Sequence, residues 1–128
     1  MLFELKHCVL PEEVDAFKVV HFSNYFKWSS LAFLKFFRHK GLKEGIFEDG
    51  MTEIRVGRVH SIYNGSAKQD DIVSICIKDL TINRNSIVLN IYMIIENKII
   101  NRSRMTIAFV NSRTGELVKT PNEIKLLI

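Results

Sequence analysis

Apolar and polar residues follow two different spacings along the chain, one helical and one alternating. Ser23 or Asn24 can serve as a helix N-cap and Gly41 supplies a C-terminal stop, so the pattern predicts a long helix between them. Because its apolar residues cover more than one stripe, we expect this helix to be buried on several sides. These residues are Tyr25, Trp28, Leu31, Ala32, Leu34, Phe36 and Phe37.

Alternating patterns predict strands before and after this helix. Leu2 to Leu10 is β-prone in part and is stopped by Pro11, which predicts a first strand. The mixed sequence from Pro11 to Phe22 has no clean period and predicts a structured loop. A second loop, rich in Gly and acidic residues, runs from Gly45 to Gly50. Four further strands are predicted over 54–63, 72–82, 87–95 and 99–110.

The second strand and the hairpin make specific predictions about side-chain direction and turns. Strict alternation places five residues on one face of the second strand: Ile54, Val56, Arg58, His60 and Ile62. Glu96-Asn97-Lys98 joins the last two long strands as a hairpin. A last turn at Ser112-Arg113-Thr114-Gly115 precedes a short tail around Pro121.

The order of elements is one strand, one long buried helix and four antiparallel strands. It indicates an α+β fold in which an antiparallel sheet wraps around one hydrophobic helix. No internal repeat, low-complexity tract or linker divides the chain, so residues 1–128 are expected to form a single domain. One sheet face and the free edges remain uncovered, which favours a homodimer.

Composition and charge exclude several classes of protein. The chain has 128 residues, of which 47% are hydrophobic and 25% charged, as in a folded globular domain. The net charge of +4 is too mild to indicate nucleic-acid binding, although it favours anionic partners or serves solubility alone. Cys8 and Cys76 lie far apart and are expected to be reduced. No apolar run is long enough to span a membrane and no signal-peptide pattern opens the chain, which predicts a cytoplasmic protein.

The common catalytic motifs are missing from this sequence. It contains no GxSxG elbow, phosphate loop, HExxH or CxxC, which argues against serine hydrolases, NTPases and zinc enzymes. The four histidines are scattered, so each is interpreted as a surface or packing residue. No metal and no redox cofactor is therefore expected.

Asp15 is the residue with the clearest chemical potential. A carboxylate just ahead of a helix can lie near its N-terminus, where unpaired N–H groups favour developing negative charge. Thioester hydrolysis needs a group that activates water and donors for the oxyanion. Asp15 could supply the first and the amides around Phe22 the second. An Asp in this position is far more often a helix cap or a solvated loop residue.

The segment from Asp15 through Asn24-Tyr25 to Trp28 resembles the signature of the 4-hydroxybenzoyl-CoA thioesterase family of hotdog proteins. Weaker likenesses follow in the same order along nearly the whole chain, at 63–67, 70–72, 109–111 and 119–121. The resemblance implies a hotdog fold, with a five-stranded antiparallel sheet around one long central helix. It also implies hydrolysis of an acyl thioester, by homodimers that often stack into homotetramers.

The resemblance implies roles for particular residues. Asp15 matches the family's catalytic general base or nucleophile, and the backbone N–H of Phe22 matches the donor that polarises the thioester carbonyl. The substrate-binding residues implied near the helix start are His21, Asn24, Tyr25 and Trp28. Tyr25, Trp28 and Phe36 would border the acyl pocket and suit an aromatic, polyene or medium-to-long acyl group, although core packing explains them equally well.

Two arginines extend this implied binding site. Arg102 and Arg104, on the last long strand, would meet a nucleotide or phosphopantetheine phosphate, or else they are ordinary exposed strand residues. The implied partner is thus an acyl thioester of coenzyme A or of an acyl carrier protein. One departure from the family stands out, since Lys18 replaces the usual Gly.

A second resemblance leaves open whether the acyl group is carried by coenzyme A or by an acyl carrier protein. Phe3-Glu4, His7, Glu12-Glu13 and the segment 20–25 with Trp28 look like thioesterases that release chains in polyketide biosynthesis. That likeness implies activity on a carrier-protein-bound polyketide or fatty chain. A non-catalytic acyl-binding hotdog protein is the alternative from another class. A dehydratase is less well supported, because His21 is the only candidate for its histidine.

Overall fold

The computed structural model describes residues 1–42 and 47–126, so the first two residues of the predicted loop from Gly45 to Gly50 lie outside it. A 3-10 turn over Pro11–Glu13 follows the first strand. The two helices are α1 (Ser23–His39) and α2 (Asn122–Leu126). The strands are β1 (Phe3–Cys8), β2 (Thr52–Tyr63), β3 (Ile72–Ile82), β4 (Ser86–Ile95), β5 (Lys98–Asn111) and β6 (Leu117–Val118).

The strands form one antiparallel sheet in the order β1-β3-β4-β5-β2, which confirms the expected architecture of a sheet around one long helix. The sheet has six strands in place of the predicted five. The difference arises because the chain turns back at Gly115, whose N–H donates to the Asn111 carbonyl, and pairs β6 with the end of β5. No helix in the described part of the chain is long and apolar enough to cross a membrane.

The core lies between α1 and the inner face of the sheet. Trp28, Ala32 and Phe36 of α1 are buried against inward residues of the three central strands, such as Ile75, Leu89 and Ile107. Burying each large apolar side chain contributes about 1.5–3 kcal/mol. In the single chain the opposite side of α1 is open, with Leu31 and Leu34 exposed. The expectation of burial on several sides is therefore met on only one side.

The ends of α1 show which terminal signals were correct. Phe22 is the N-cap and Ser23 already the first helical residue, so the prediction of Ser23 or Asn24 as the cap was wrong by one or two positions. The predicted stop at Gly41 is confirmed. Gly41 takes a φ of +97°, and the N–H of Leu42 donates to the Phe37 carbonyl, as in a Schellman motif.

A β-bulge at Gly57 changes the faces of β2. Val56 pairs with Ile107 and Arg58 with Thr106, which leaves Gly57 as an extra residue. Because the bulge shifts the alternation by one, Val59 joins Ile54 and Val56 on the inner face, whereas Arg58 turns outward. The predicted face that joined Ile54 and Val56 to Arg58, His60 and Ile62 was wrong for this reason.

Candidate active site

Asp15 lies in a narrow loop that closes between Val14 and Val20. These two residues form an antiparallel bridge, and the Asp15 N–H donates to the Val19 carbonyl over 2.9 Å. Lys18 completes the turn with a φ of +64°. This left-handed conformation favours glycine, the residue that the resemblance led us to expect at this position. The loop thus holds Asp15 in a fixed, half-buried position.

The carboxylate of Asp15 is held by one of its two oxygens. Its Oδ1 accepts hydrogen bonds from the N–H groups of Phe17, over 2.8 Å, and Val19, over 3.4 Å. Its Oδ2 accepts no hydrogen bond from any residue in the described ranges. One oxygen therefore fixes the side chain, while the other is available to a water molecule or a substrate.

The start of α1 presents an unpaired donor. The Ser23 N–H donates to His21 Nδ1, over 3.3 Å, and the Asn24 N–H donates to the His21 carbonyl, over 3.0 Å. The N–H of Phe22 has no acceptor among residues 1–42 and 47–126. This N–H lies at the positive end of the helix, so it can stabilise negative charge that develops beside it.

The Asp15 loop is fastened to α1 through the segment that follows β2. The Val20 N–H donates to the Ala67 carbonyl over 2.9 Å, and the Ala67 N–H donates to the Tyr25 hydroxyl over 3.0 Å. Burial raises the pKa of Tyr25, and the nearby Tyr63 and Asp71 add to the increase. Tyr25 is therefore a neutral structural acceptor at ordinary pH.

The predicted aromatic wall belongs to the core in the single chain. Tyr25, Trp28 and Phe36 are 3%, 2% and 1% exposed, too little to border an open pocket. Asn24 is also buried, and its side-chain amide donates to the carbonyls of Glu13 and His21. These side chains shape the helix start from within.

His21 differs from these buried residues because its side chain is exposed. Its Nδ1 lies 2.7 Å from Ser23 Oγ, and its ring stacks on that of Phe22 at a centroid distance of 4.6 Å. His21 is therefore placed at the surface beside the unpaired N–H of Phe22.

An open groove runs along the exposed side of α1. Its volume is about 580 Å³, and it lies between the helix and the beginning of β2. Phe26 and Leu34, which line it, follow Phe22 at helical spacing, so the groove begins near the unpaired N–H. The complete lining is Phe26, Ser30, Phe33, Leu34, Glu53, Ile54, Arg55 and Val56. The sequence pattern had assigned this apolar helix face to the interior.

Arg102 and Arg104 lie on the outer face of the sheet, away from α1. The guanidinium of Arg102 stands over the Tyr92 ring, 5.6 Å from its centroid, and Arg104 Nε donates to Asn90 Oδ1 over 3.4 Å. Both line a hollow of about 290 Å³ that also includes His60. Within one chain the two arginines do not share a face with the Asp15 loop.

Glu13 is a buried ionisable residue to which the sequence assigned no individual role. It is only 8% exposed. Its carboxylate accepts hydrogen bonds from the Leu10 N–H and the Trp28 indole N–H, and it pairs with His7. Burial by itself raises the pKa of Glu13, but the hydrogen bonds from Leu10, His7 and Trp28 outweigh it and lower the pKa below 4.5. Glu13 is therefore ionised at neutral pH.

No group of three or more His, Cys, Asp or Glu within the described residues is arranged to hold a metal ion. The chemistry available at the helix start is that of one carboxylate, one exposed imidazole and backbone donors. Such a set suits activation of water and stabilisation of an oxyanion.

Comparisons with known proteins agree with this architecture. The family model described as the thioesterase-like superfamily matches residues 9–127. No curated protein matches the chain significantly. Many solved structures do match, and the sheet wrapped around one helix is the hotdog fold of thioesterases.

Three of these solved structures show the extent of the similarity. A protein of Aquifex aeolicus is 23% identical, with a TM-score of 0.89 and coverage of 98% of each chain. A gentisyl-coenzyme A thioesterase is 17% identical, with a TM-score of 0.86 over 97% of this chain and 98% of that one. A 1,4-dihydroxy-2-naphthoyl-CoA thioesterase of Synechocystis is 14% identical, with a TM-score of 0.85 over 98% and 94%.

Proposed function

The chain belongs to the thioesterase-like superfamily, and we propose that it hydrolyses an acyl thioester of coenzyme A or an acyl carrier protein. Residues 1–128 would act as one catalytic domain. The finer relation, to the 4-hydroxybenzoyl-CoA thioesterase family, rests on the segment from Asp15 to Trp28. Structural similarity to two enzymes named as CoA thioesterases supports the acyl-CoA class of substrate.

One observation carries this proposal. Asp15 is fixed through Oδ1, on a loop tied to the helix start. Neither its Oδ2 nor the Phe22 N–H has a hydrogen-bond partner within residues 1–42 and 47–126. A base and an oxyanion donor are the two groups that thioester hydrolysis requires. The Asp15 loop and the start of α1 offer both.

The proposed reaction begins with water. Its oxygen bonds to the thioester carbonyl carbon while one water proton passes to Asp15 Oδ2, and the carbonyl oxygen becomes an oxyanion. The Phe22 N–H donates a hydrogen bond to that oxyanion, assisted by the dipole of α1. Collapse re-forms the carbonyl and breaks the carbon–sulfur bond, and the departing thiolate takes the proton from Asp15. In the alternative, Asp15 Oδ2 attacks the carbonyl carbon and the carbon–sulfur bond breaks to release the thiolate, which leaves a mixed anhydride that water then hydrolyses to the free acid and the Asp15 carboxylate.

The acyl group is proposed to occupy the groove of Phe26, Leu34 and Val56. The groove starts at Phe26, one helical turn after Phe22, and is lined mainly by apolar side chains. An aromatic or medium-to-long acyl group therefore fits its character. His21 is exposed beside this position and is the candidate for direct substrate contact, whereas Asn24, Tyr25 and Trp28 would act by shaping the helix start.

A homodimer would complete the groove. β2 is an edge strand of the sheet, and it carries exposed apolar residues such as Val56, Val59 and Ile62. An unpaired edge beside an exposed apolar helix face favours pairing with a second copy. Stacking of two such dimers into a homotetramer remains part of the proposal.

Arg102 and Arg104 are proposed to attract the anionic carrier. They stand on the outer sheet face near Arg58, His60 and Lys78, where phosphates or an acidic carrier protein would be favoured. This basic face is the feature that favours a carrier protein, including one that holds a polyketide or fatty chain. Neutralising both arginines should therefore weaken hydrolysis of the ester whose carrier they attract more than that of the other ester.

The test follows thiol release with a thiol-reactive dye from a panel of acyl-CoA and acyl-carrier-protein thioesters. Wild type is compared with Asp15→Asn, whose amide oxygen can still accept the bonds from Phe17 and Val19. Asp49→Asn is the matched control, because Asp49 is also held by backbone N–H groups but lies in the turn just ahead of β2.

We expect Asp15→Asn to lose at least ~100-fold in kcat and Asp49→Asn to retain the wild-type value. If Asp15→Asn retains full activity, Asp15 is not the base and the donors at the helix start carry the reaction. If wild type hydrolyses no ester but binds acyl-CoA, the non-catalytic alternative replaces the thioesterase proposal.

A further inference from the structure

The carboxylate of Glu13 joins three parts of the fold at one buried point. Its Oε1 accepts from the Leu10 N–H over 2.8 Å and lies 2.7 Å from His7 Nε2 on β1. Its Oε2 accepts from the indole N–H of Trp28 on α1, also over 2.8 Å. Burial of a charged carboxylate is unfavourable unless hydrogen bonds or ion pairs replace its hydration. Each of the three contacts therefore helps to stabilise the charged side chain in this position.

The backbone of Glu13 adds a second set of contacts. Its carbonyl accepts from the His21 N–H over 3.0 Å and from Asn24 Nδ2 over 3.2 Å. Asp15 follows two residues later, and Phe22 comes directly after His21. The reaction depends on the relative position of the Asp15 loop and the start of α1. Glu13 directly precedes the loop in the chain and is hydrogen-bonded to the start of the helix.

We propose that Glu13 is a positioning residue, which fixes Asp15 relative to the Phe22 N–H by anchoring the Asp15 loop to Trp28 and His7. This inference rests on the proposed function, because it assigns Glu13 a role in that same site. Glu13 does not touch the substrate. It acts through the geometry of the base and the oxyanion donor, where a displacement of about 1 Å can lower a rate by roughly 100-fold.

The surroundings of Glu13 explain why its charge matters. Among the described residues, His7 of β1 is the one ionisable side chain that contacts the carboxylate, and it is itself partly exposed. Residue 10 and α1 contribute N–H donors. A neutral amide in its place would present an NH₂ group to at least one N–H donor. Glu13→Gln therefore preserves the shape of the side chain and removes its capacity to hold all three contacts.

The kinetic test compares Glu13→Gln with wild type in the thiol-release assay. We expect kcat to fall at least ~10-fold with KM within ~2-fold, since the bound substrate contacts other residues. Adding Glu13→Gln to Asp15→Asn should cost at most ~2-fold more, because the two changes act on one base. If Glu13→Gln does not fold, Trp28→Phe takes its place in the test. This variant removes one donor, leaves Glu13 in place and should also lower kcat.

Amide hydrogen exchange gives a readout that needs no turnover. In Glu13→Gln we expect exchange over residues 14–22 to quicken at least ~10-fold while β4 and β5 remain as in wild type. Unchanged exchange there, or wild-type kcat in both variants, overturns the positioning role. A wild type that hydrolyses no ester overturns the proposed function instead, and the exchange result then decides the anchoring of the loop independently.

Discussion

Replacement of Glu13 by Gln should destabilise the fold by a predictable amount. The carboxylate accepts from Leu10 and pairs with His7 through one oxygen, and accepts from Trp28 through the other. A glutamine has one acceptor oxygen, so in either orientation its NH₂ group faces the N–H of Leu10 or of Trp28. One buried donor is left unsatisfied, which costs about 1–3 kcal/mol, and the charge-assisted bonds weaken as well.

Together these effects give an expected loss of about 3 kcal/mol in the free energy of unfolding at pH 7. The pKa of Glu13 is lowered in the folded protein, so its charge stabilises the fold above pH 4.5, the ordinary pKa of the unfolded chain. That contribution is lost as the pH falls through the lowered folded-state pKa. The difference between wild type and Glu13→Gln should therefore shrink as the pH falls below 4.5.

Trp28 is the single tryptophan of the chain and packs beside Glu13, so urea unfolding can be followed by its fluorescence at several pH values. Asp49→Asn serves as the comparison, because the pKa of Asp49 is also lowered, chiefly by its hydrogen bond from the Thr52 hydroxyl. A Glu13→Gln protein within about 0.5 kcal/mol of wild type at pH 7, the ordinary range for surface changes, would refute the reasoning.

Three further predictions test other parts of the molecule. Lys18→Gly should stabilise the fold by about 0.5–1 kcal/mol in urea unfolding, because Lys18 has a φ of +64° that glycine adopts without strain. Arg102→Ala with Arg104→Ala should raise KM several-fold with little change in kcat, as expected when a steering charge is lost, and the more affected ester identifies the carrier. Leu34→Glu should place a charge in the groove and lower kcat/KM for long acyl groups more than for acetyl, whereas equal losses would contradict acyl binding there.

The sequence predicted those elements whose signals are local. Dense apolar spacing and Gly41 defined α1 and its end. The hairpin predicted at Glu96-Asn97-Lys98 is confirmed, with a turn of two residues because Lys98 already belongs to β5. Both turn residues take a positive φ, as a two-residue hairpin turn requires. The position of Asp15 ahead of α1 was also evident, since it depends only on the order of residues along the chain.

The remainder depends on contacts between distant segments. Nothing local distinguishes exposed Glu12 from buried Glu13, because only the positions of His7 and Trp28 in the folded chain make one of them an anchor. The bulge at Gly57 was missed for a related reason. An alternating pattern assumes a constant period, whereas one extra residue in β2 reverses every later side chain.

The two sides of α1 contact different parts of the proposed site, so substitutions on the two sides should affect the reaction differently. Its inner side carries Trp28, which binds Glu13, and its open side carries Phe26 and Leu34, which line the groove. Phe22 and Phe26 are one turn apart, about 6 Å along the helix axis, so the oxyanion donor and the helix side of the groove move together. Asp15 lies on the loop, so its position relative to the Phe22 N–H depends on the contacts between the loop and the helix. Loss of Glu13 should accordingly slow hydrolysis of short and long acyl groups by the same factor, in contrast to a change within the groove.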